Sequence, residues 1–99
     1  MEGNYNITMR TPLGPQNGRI GLRVANGKLN GFLNILGGEN PFTGGKVNGN
    51  SFEFSGAIKA AGSKFNYTVK GTVNGSVLKA EATTQFGVLQ IMGNRAYPA

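Results

Sequence analysis

Apolar and polar residues alternate along most of the chain, at the two-residue period of a strand that buries one face. In residues 3–10, Tyr5, Ile7 and Met9 fall on one face and Asn4, Asn6 and Thr8 on the other. Thr11-Pro12-Leu13-Gly14-Pro15 ends that run, because proline lacks the donor a ladder needs. Residues 19–25 resume with Ile20, Leu22 and Val24 inward, turn at Asn26-Gly27, and return with Leu29, Gly31, Leu33 and Ile35. A two-residue turn sets Val24 opposite Leu29, Leu22 opposite Gly31 and Ile20 opposite Leu33. On the outer face it sets Phe32 over Gly21, where an aromatic covers bare backbone. Residues 36–41 read as a loop. A short strand over 42–47 then turns at Asn48-Gly49 into 51–58, with Phe52, Phe54, Gly56 and Ile58 inward.

The strongest local signal is Asn74-Gly75 between two alternating runs, residues 64–84. Centred on that pair, the hairpin places Phe65, Tyr67, Val69 and Gly71 across from Thr84, Ala82, Ala80 and Leu78. On the outside it sets Lys70 against Lys79, and Glu81 opposite Thr68. Residues 86–95 form a last strand with Leu89, Ile91 and Gly93 inward, or with Val88, Gln90 and Met92 inward in the alternative register. A helix is conceivable only over 76–85, where ten residues are marginal alone.

These segments repeat. Loop glycines fall at Gly14, Gly38, Gly62 and Gly87, and the Asn-Gly pairs at Asn26, Asn48 and Asn74 lie between them. Each unit is a loop, a strand, a tight turn and a strand. The fourth unit is split between the two chain ends, so joining the last strand to the first completes it. That arrangement is all-β: a closed eight-stranded antiparallel up-and-down barrel, one domain over 1–99, with no open edge. An open sandwich of two meanders is the competing arrangement.

Composition narrows the chemistry. The chain has 99 residues, ten basic side chains against four acidic, and no His or Cys. All four acids are Glu: Glu2, Glu39, Glu53 and Glu81. No nucleophile has a histidine base, no thiolate chemistry exists, and no donor set fits a metal. Glu53 and Glu81 lie on the outer face, as solvated partners of lysine rather than as an acid–base pair. Thr43-Gly44-Gly45-Lys46 brushes against a phosphate-binding loop but lacks its spacing and its helix. The expectation is therefore a cytoplasmic protein that is not an enzyme, holds no cofactor and has no membrane partner, since no apolar run is long enough to span a bilayer.

Gly3-Asn4-Tyr5 at the start and Arg95 near the end resemble the calycin signature, with Tyr5 in place of that family's tryptophan. The resemblance implies that Arg95 packs over Tyr5 and closes one end of the barrel. The runs Thr11-Pro12-Leu13-Gly14, Val47-Asn48-Gly49 and Gly93-Asn94-Arg95 are similar to small bacterial repeat barrels, which supply a fold but no function.

Two places can carry a binding role. One is the interior, lined by Tyr5, Leu33, Phe52, Phe54, Phe65 and Tyr67, with Arg95 at its end. An eight-stranded barrel either fills with side chains or holds one small ligand. In the second case the ligand is apolar, with the Tyr5 and Tyr67 hydroxyls and Arg95 as polar handles. The other place is the basic outer face, carrying Arg19, Arg23, Lys59, Lys64, Lys70 and Lys79, which suits an anionic partner such as nucleic acid or an acidic protein. Nucleic acid fits less well, because base stacking needs outward aromatics and only Phe32 points out. Oligomeric state is not legible.

Overall fold

Alternation carries through into eight strands: β1 (Gly3–Thr11), β2 (Gly14–Ala25), β3 (Lys28–Ile35), β4 (Gly38–Asn48), β5 (Ser51–Ala60), β6 (Ser63–Asn74), β7 (Val77–Thr84) and β8 (Gly87–Arg95). The computed structural model describes residues 2–35, 38–60 and 63–96, the side chains of residues 59, 60, 63 and 65 excepted. All neighbours are antiparallel, and β8 pairs with β1 to close an up-and-down barrel. The connections divide between two rims. The turn rim carries the β2–β3, β4–β5 and β6–β7 turns and both chain ends. The loop rim carries the other four connections.

The inward set forms one core of Tyr5, Ile7, Met9, Ile20, Leu22, Leu29, Leu33 and their counterparts around the barrel. Ile91 is buried and Leu89 packs on the core, whereas Val88 and Met92 are exposed. The last strand therefore takes the register with Leu89, Ile91 and Gly93 inward. Inward glycines are sites of close approach rather than holes. A Cβ on Gly31 would strike the carbonyl oxygen of Gly21, and one on Gly93 the carbonyl oxygen of Asn6. On the outside, Phe32 covers Gly21 as expected, its ring 2.5 Å from where a Cβ would stand.

Three features depart from the sequence reading. Asn26 and Gly27 both have positive φ, 52° and 75°, as a type I′ turn requires. At the other two turns only the glycine is positive, Gly49 at 61° and Gly75 at 62°. The turn residues there are Gly49-Asn50 and Gly75-Ser76, since Asn48 pairs with Ser51 and Asn74 with Val77. Glycine at the first central position is the type II′ pattern. The β6–β7 ladder consequently slides by two residues: Tyr67 faces Thr84, Val69 faces Ala82, Gly71 faces Ala80 and Val73 faces Leu78. Lys70 faces Glu81, not Lys79, and Thr68 faces Thr83, not Glu81.

The second departure is at Gly44. The β3–β4 register shifts between Leu29 and Gly31, Gly44 takes φ 72°, and its N–H donates to Asn30 Oδ1 at 3.3 Å. This is a β-bulge, and it is the structural role of the Thr43-Gly44-Gly45-Lys46 segment. It lets Phe42 and Gly45, which differ in parity, both face inward.

The third is strand length. Residues expected as loop belong to β2 from Gly14 and to β4 from Gly38. Pro41 sits within β4, opposite Phe32. It is tolerated because that part of β4 has no ladder on its other side: β4 and β5 share three pairs, Lys46–Glu53, Val47–Phe52 and Asn48–Ser51. β5 and β6, by contrast, pair from Ser51–Thr72 through Ala60–Ser63. Among the described residues the β4–β5 ladder thus stops at Lys46–Glu53, although the strands stay close: a Cβ on Gly45 would stand 2.8 Å from the Glu53 carbonyl oxygen.

Candidate functional site

The barrel's aromatic cluster lies behind the β4–β5 seam. Phe42 of β4 and Phe54 of β5 stack across it, centroids 3.7 Å apart and planes 8° from parallel. Phe52 lies 6.0 Å from Phe54 nearly parallel, and Tyr67 of β6 meets Phe54 edge-on at 6.0 Å. These rings join β4 to β5 beyond the three ladder pairs that the strands share.

Tyr67 is the unusual member. Its side chain is buried, and among the described residues its hydroxyl has no hydrogen-bond partner. A buried hydroxyl left unpaired costs about 1–3 kcal/mol. Burial also pushes its pKa up to about 12, because the phenolate is worse served there than the phenol. The adjacent residue on β5 is Gly56, which pairs with Tyr67. A Cβ on Gly56 would stand 2.7 Å from the Tyr67 hydroxyl oxygen, so glycine is what leaves that oxygen room. Outside this row, a depression of about 530 Å³ is lined by Ser55, Gly56, Ala57, Asn66, Tyr67 and their β7 neighbours.

Of the residues expected to line the interior, Tyr5, Leu33, Phe52, Phe54 and Tyr67 belong to the buried core. Asn40, the buried polar residue on β4, donates from Nδ2 to the Leu33 carbonyl at 3.0 Å. The Phe65 side chain lies outside the described residues; its backbone pairs with Ile58. Tyr5 is the core residue of β1 nearest the turn rim, and Arg95, half-buried, caps it there. Arg95 lies over the Tyr5 ring, 5.1 Å from its centroid, and donates from Nη2 to the Tyr5 hydroxyl at 2.9 Å. Its Nη1 donates to the Glu2 carbonyl at 2.6 Å. Gly3 is needed beside it, since a Cβ there would collide with the guanidinium. Tyr5 and Arg95 are thus partners of each other, and of the three expected polar handles Tyr67 is the one left without a hydrogen-bond partner among the described residues.

Phe42 and Asn40 were missed. Phe42 and Val47 are both apolar but five apart, so they cannot share a face of an uninterrupted strand. The Gly44-Gly45 pair between them was the available sign of a bulge.

The outer face is less uniformly basic than its composition suggests. Lys46, Glu53, Lys70, Glu81 and Gln90 form one row across β4 to β8, so lysine and glutamate alternate. Lys79 lies in the next row between Thr72 and Met92. A trough of about 830 Å³ runs between these rows over Gly71 and Ala80. Arg19 donates from Nε to Asn6 Oδ1 at 3.3 Å, and Arg23 faces Asn30. Lys64 is exposed and faces Lys59 in the backbone register; the Lys59 side chain lies outside the described residues. Among the described residues no three His, Cys, Asp or Glu side chains gather as a metal site, and no helix is long and apolar enough to cross a membrane.

Set beside known proteins, the chain matches no family model, no curated protein and no solved structure.

Proposed function

We propose that this protein is a non-catalytic binding barrel that takes up a small, flat, largely apolar molecule at the β4–β5 seam. The ligand slides between the unpaired strand edges against Phe42 and Phe54 and presents one carbonyl or hydroxyl to Tyr67. The observation that carries this reading is the Tyr67 hydroxyl, buried beside Gly56 with no partner among the described residues. A neutral phenol both donates and accepts, so it suits an uncharged polar atom on the ligand. Stacked rings supply the apolar contact, and separating Phe42 from Phe54 breaks no backbone ladder. The Arg95–Tyr5 closure agrees with a calycin-like plan, in which one end is shut and ligand enters elsewhere.

The test is native mass spectrometry of freshly purified protein, followed by titration with anilinonaphthalene sulfonate. Binding by the parent, with loss of affinity of about tenfold in Tyr67→Phe, is the expected result. Gly56→Val should abolish it by filling the space at the hydroxyl. A parent protein that carries no small molecule and does not enhance the probe's emission would overturn the reading.

A further inference from the structure

The loop rim carries two copies of one device. At the β1–β2 turn, Thr11 Oγ1 donates to the Gly14 carbonyl at 2.7 Å and accepts from the Leu13 N–H at 3.2 Å. At the β7–β8 turn, Thr84 Oγ1 donates to the Gly87 carbonyl at 3.1 Å and accepts from the Phe86 N–H at 3.0 Å. The closing glycines match as well, with φ 106° at Gly14 and 105° at Gly87. Both turns are therefore Thr-x-apolar-Gly, each pinned by its threonine, and both leave the apolar third residue largely in solvent. Leu13 is 93% exposed and Phe86 60%. Turn tips ordinarily carry polar residues.

The two turns are neighbours. β8 pairs with β1 from Tyr5–Arg95 to Met9–Ile91, so the β7–β8 and β1–β2 turns end neighbouring strands on the same rim. Val88, 54% exposed, lies on the strand between them. Cations flank the group. Arg10 is exposed on β1 next to the first turn. β6 runs on past its ladder with β7, which ends at Tyr67–Thr84, so exposed Lys64 stands beside the second turn. Glu39, at the start of β4, is the acidic residue of this rim; Glu2, Glu53 and Glu81 lie elsewhere.

We infer that the loop rim docks reversibly on an anionic lipid surface, with Leu13 and Phe86 inserted among the acyl chains and Arg10 and Lys64 at the headgroups. The shape argues for a bilayer over a protein. Two convex tips make too small a patch for a stable protein interface, which needs about 1,000 Å² in all, whereas a fluid bilayer moulds itself around them. The charge agrees, since cations beside an inserted apolar group add electrostatic attraction to anionic headgroups. The expectation of no membrane partner rested on the lack of a spanning run, which has no bearing on surface contact. The inference does not depend on the seam ligand.

The test uses the whole protein and extruded vesicles of phosphatidylcholine, with and without phosphatidylglycerol. Co-sedimentation should occur with the anionic vesicles, weaken as salt rises, and fall at least about tenfold in Leu13→Ser/Phe86→Ser. Arg10→Gln/Lys64→Gln should lose the preference for anionic vesicles. The chain has no tryptophan, so Leu13→Trp gives a clean insertion reporter: its emission should shift to the blue on anionic vesicles and be quenched by brominated lipid. Asn50→Trp, at the opposite rim, should do neither. Thermal melts of these exposed-site variants check that each is folded. Absence of vesicle binding at low salt, equal binding by the Leu13→Ser/Phe86→Ser protein, or an equal shift at both tryptophans would overturn the inference. So would self-association in solution that depends on Leu13 and Phe86 while vesicles are ignored.

Discussion

Arg95 and Tyr5 face each other across the β1–β8 closure, ninety positions apart in the chain, and the guanidinium both covers the ring and donates to its hydroxyl. The strands that close the barrel are the first and the last, so their junction lacks a connecting turn. Side chains must supply what a turn supplies at the other junctions. The backbone helps: the Ala96 N–H donates to the Asn4 carbonyl across the closure, while the Arg95 N–H donates to the Ser76 carbonyl on the β7 side of β8, each at 2.8 Å.

Removing this latch should loosen the closure. Arg95→Ala is expected to lower stability by about 2 kcal/mol, the combined loss of a cation–π contact and two charge-assisted hydrogen bonds at a partly exposed site. Tyr5→Phe keeps the ring under the guanidinium and should cost about 1 kcal/mol. Urea melts of the two variants and their double mutant measure both losses. The double mutant should fall well short of the sum, because both substitutions break the same hydrogen bond.

The interior glycines make a sharper prediction. Gly31→Ala would drive a methyl into the Gly21 carbonyl oxygen, which is backbone and cannot swing away. A loss of about 2–3 kcal/mol is expected, from overpacking and displaced ladder geometry. Gly14→Ala meets nothing within 4 Å but must hold φ 106°. Its cost is purely conformational, about 1–2 kcal/mol. Thermal melts should rank them in that order. If Gly31→Ala is tolerated, the inward glycines border open space and the close approach of β2 and β3 is wrong.

How far the sequence could be read depends on what each element's register rests on. Hydrophobic parity placed Tyr5, Ile20, Leu33, Phe54 and Ile91 inward, because a period of two leaves each strand only two choices and burial picks one. Parity is blind to a slide by two residues, which keeps every side chain on its face. That is why the β6–β7 ladder was misregistered while its inward set stood. The error moved Lys70 from a lysine to a glutamate neighbour and so changed the electrostatic picture of the outer wall. The short β4–β5 ladder and the Tyr67 hydroxyl without a described partner depend on strand paths in three dimensions, for which no local residue pattern stands as a sign. The contact of Arg95 over Tyr5, beside Gly3, was legible because those three residue types stand at the two ends that the barrel brings together.

The same dipeptide should behave differently at two turns. Asn26 holds φ 52°, where asparagine is tolerated and alanine is strained, so Asn26→Ala should cost about 1 kcal/mol. Asn74 lies in a strand and is not at positive φ; its side chain accepts one exposed hydrogen bond from Asn50 Nδ2, at 2.6 Å. Asn74→Ala should therefore cost only a few tenths of a kcal/mol. Denaturant midpoints of the two variants decide it. Equal losses would place Asn74 back at a central turn position and restore the Lys70–Lys79 pairing.

Alkali probes the seam directly. Tyr67 titrates near pH 10 in the unfolded chain and at about 12 when folded, because its buried oxygen resists charge. The unfolded state therefore gives up this proton first. The contribution of neutral Tyr67 to stability is whole below pH 10 and drains away as pH climbs from 10 to 12. Denaturation midpoints across that window should fall more steeply for the parent than for Tyr67→Phe, which has no proton to lose. The ultraviolet phenolate titration of Tyr67→Phe should likewise lack the late step that the parent shows. A ligand that hydrogen-bonds the neutral phenol would move that step later still, so the same titration with bound probe separates an occupied seam from an empty one. Parallel pH profiles for parent and variant would mean that water reaches the hydroxyl, and the carrying observation for ligand binding would be lost.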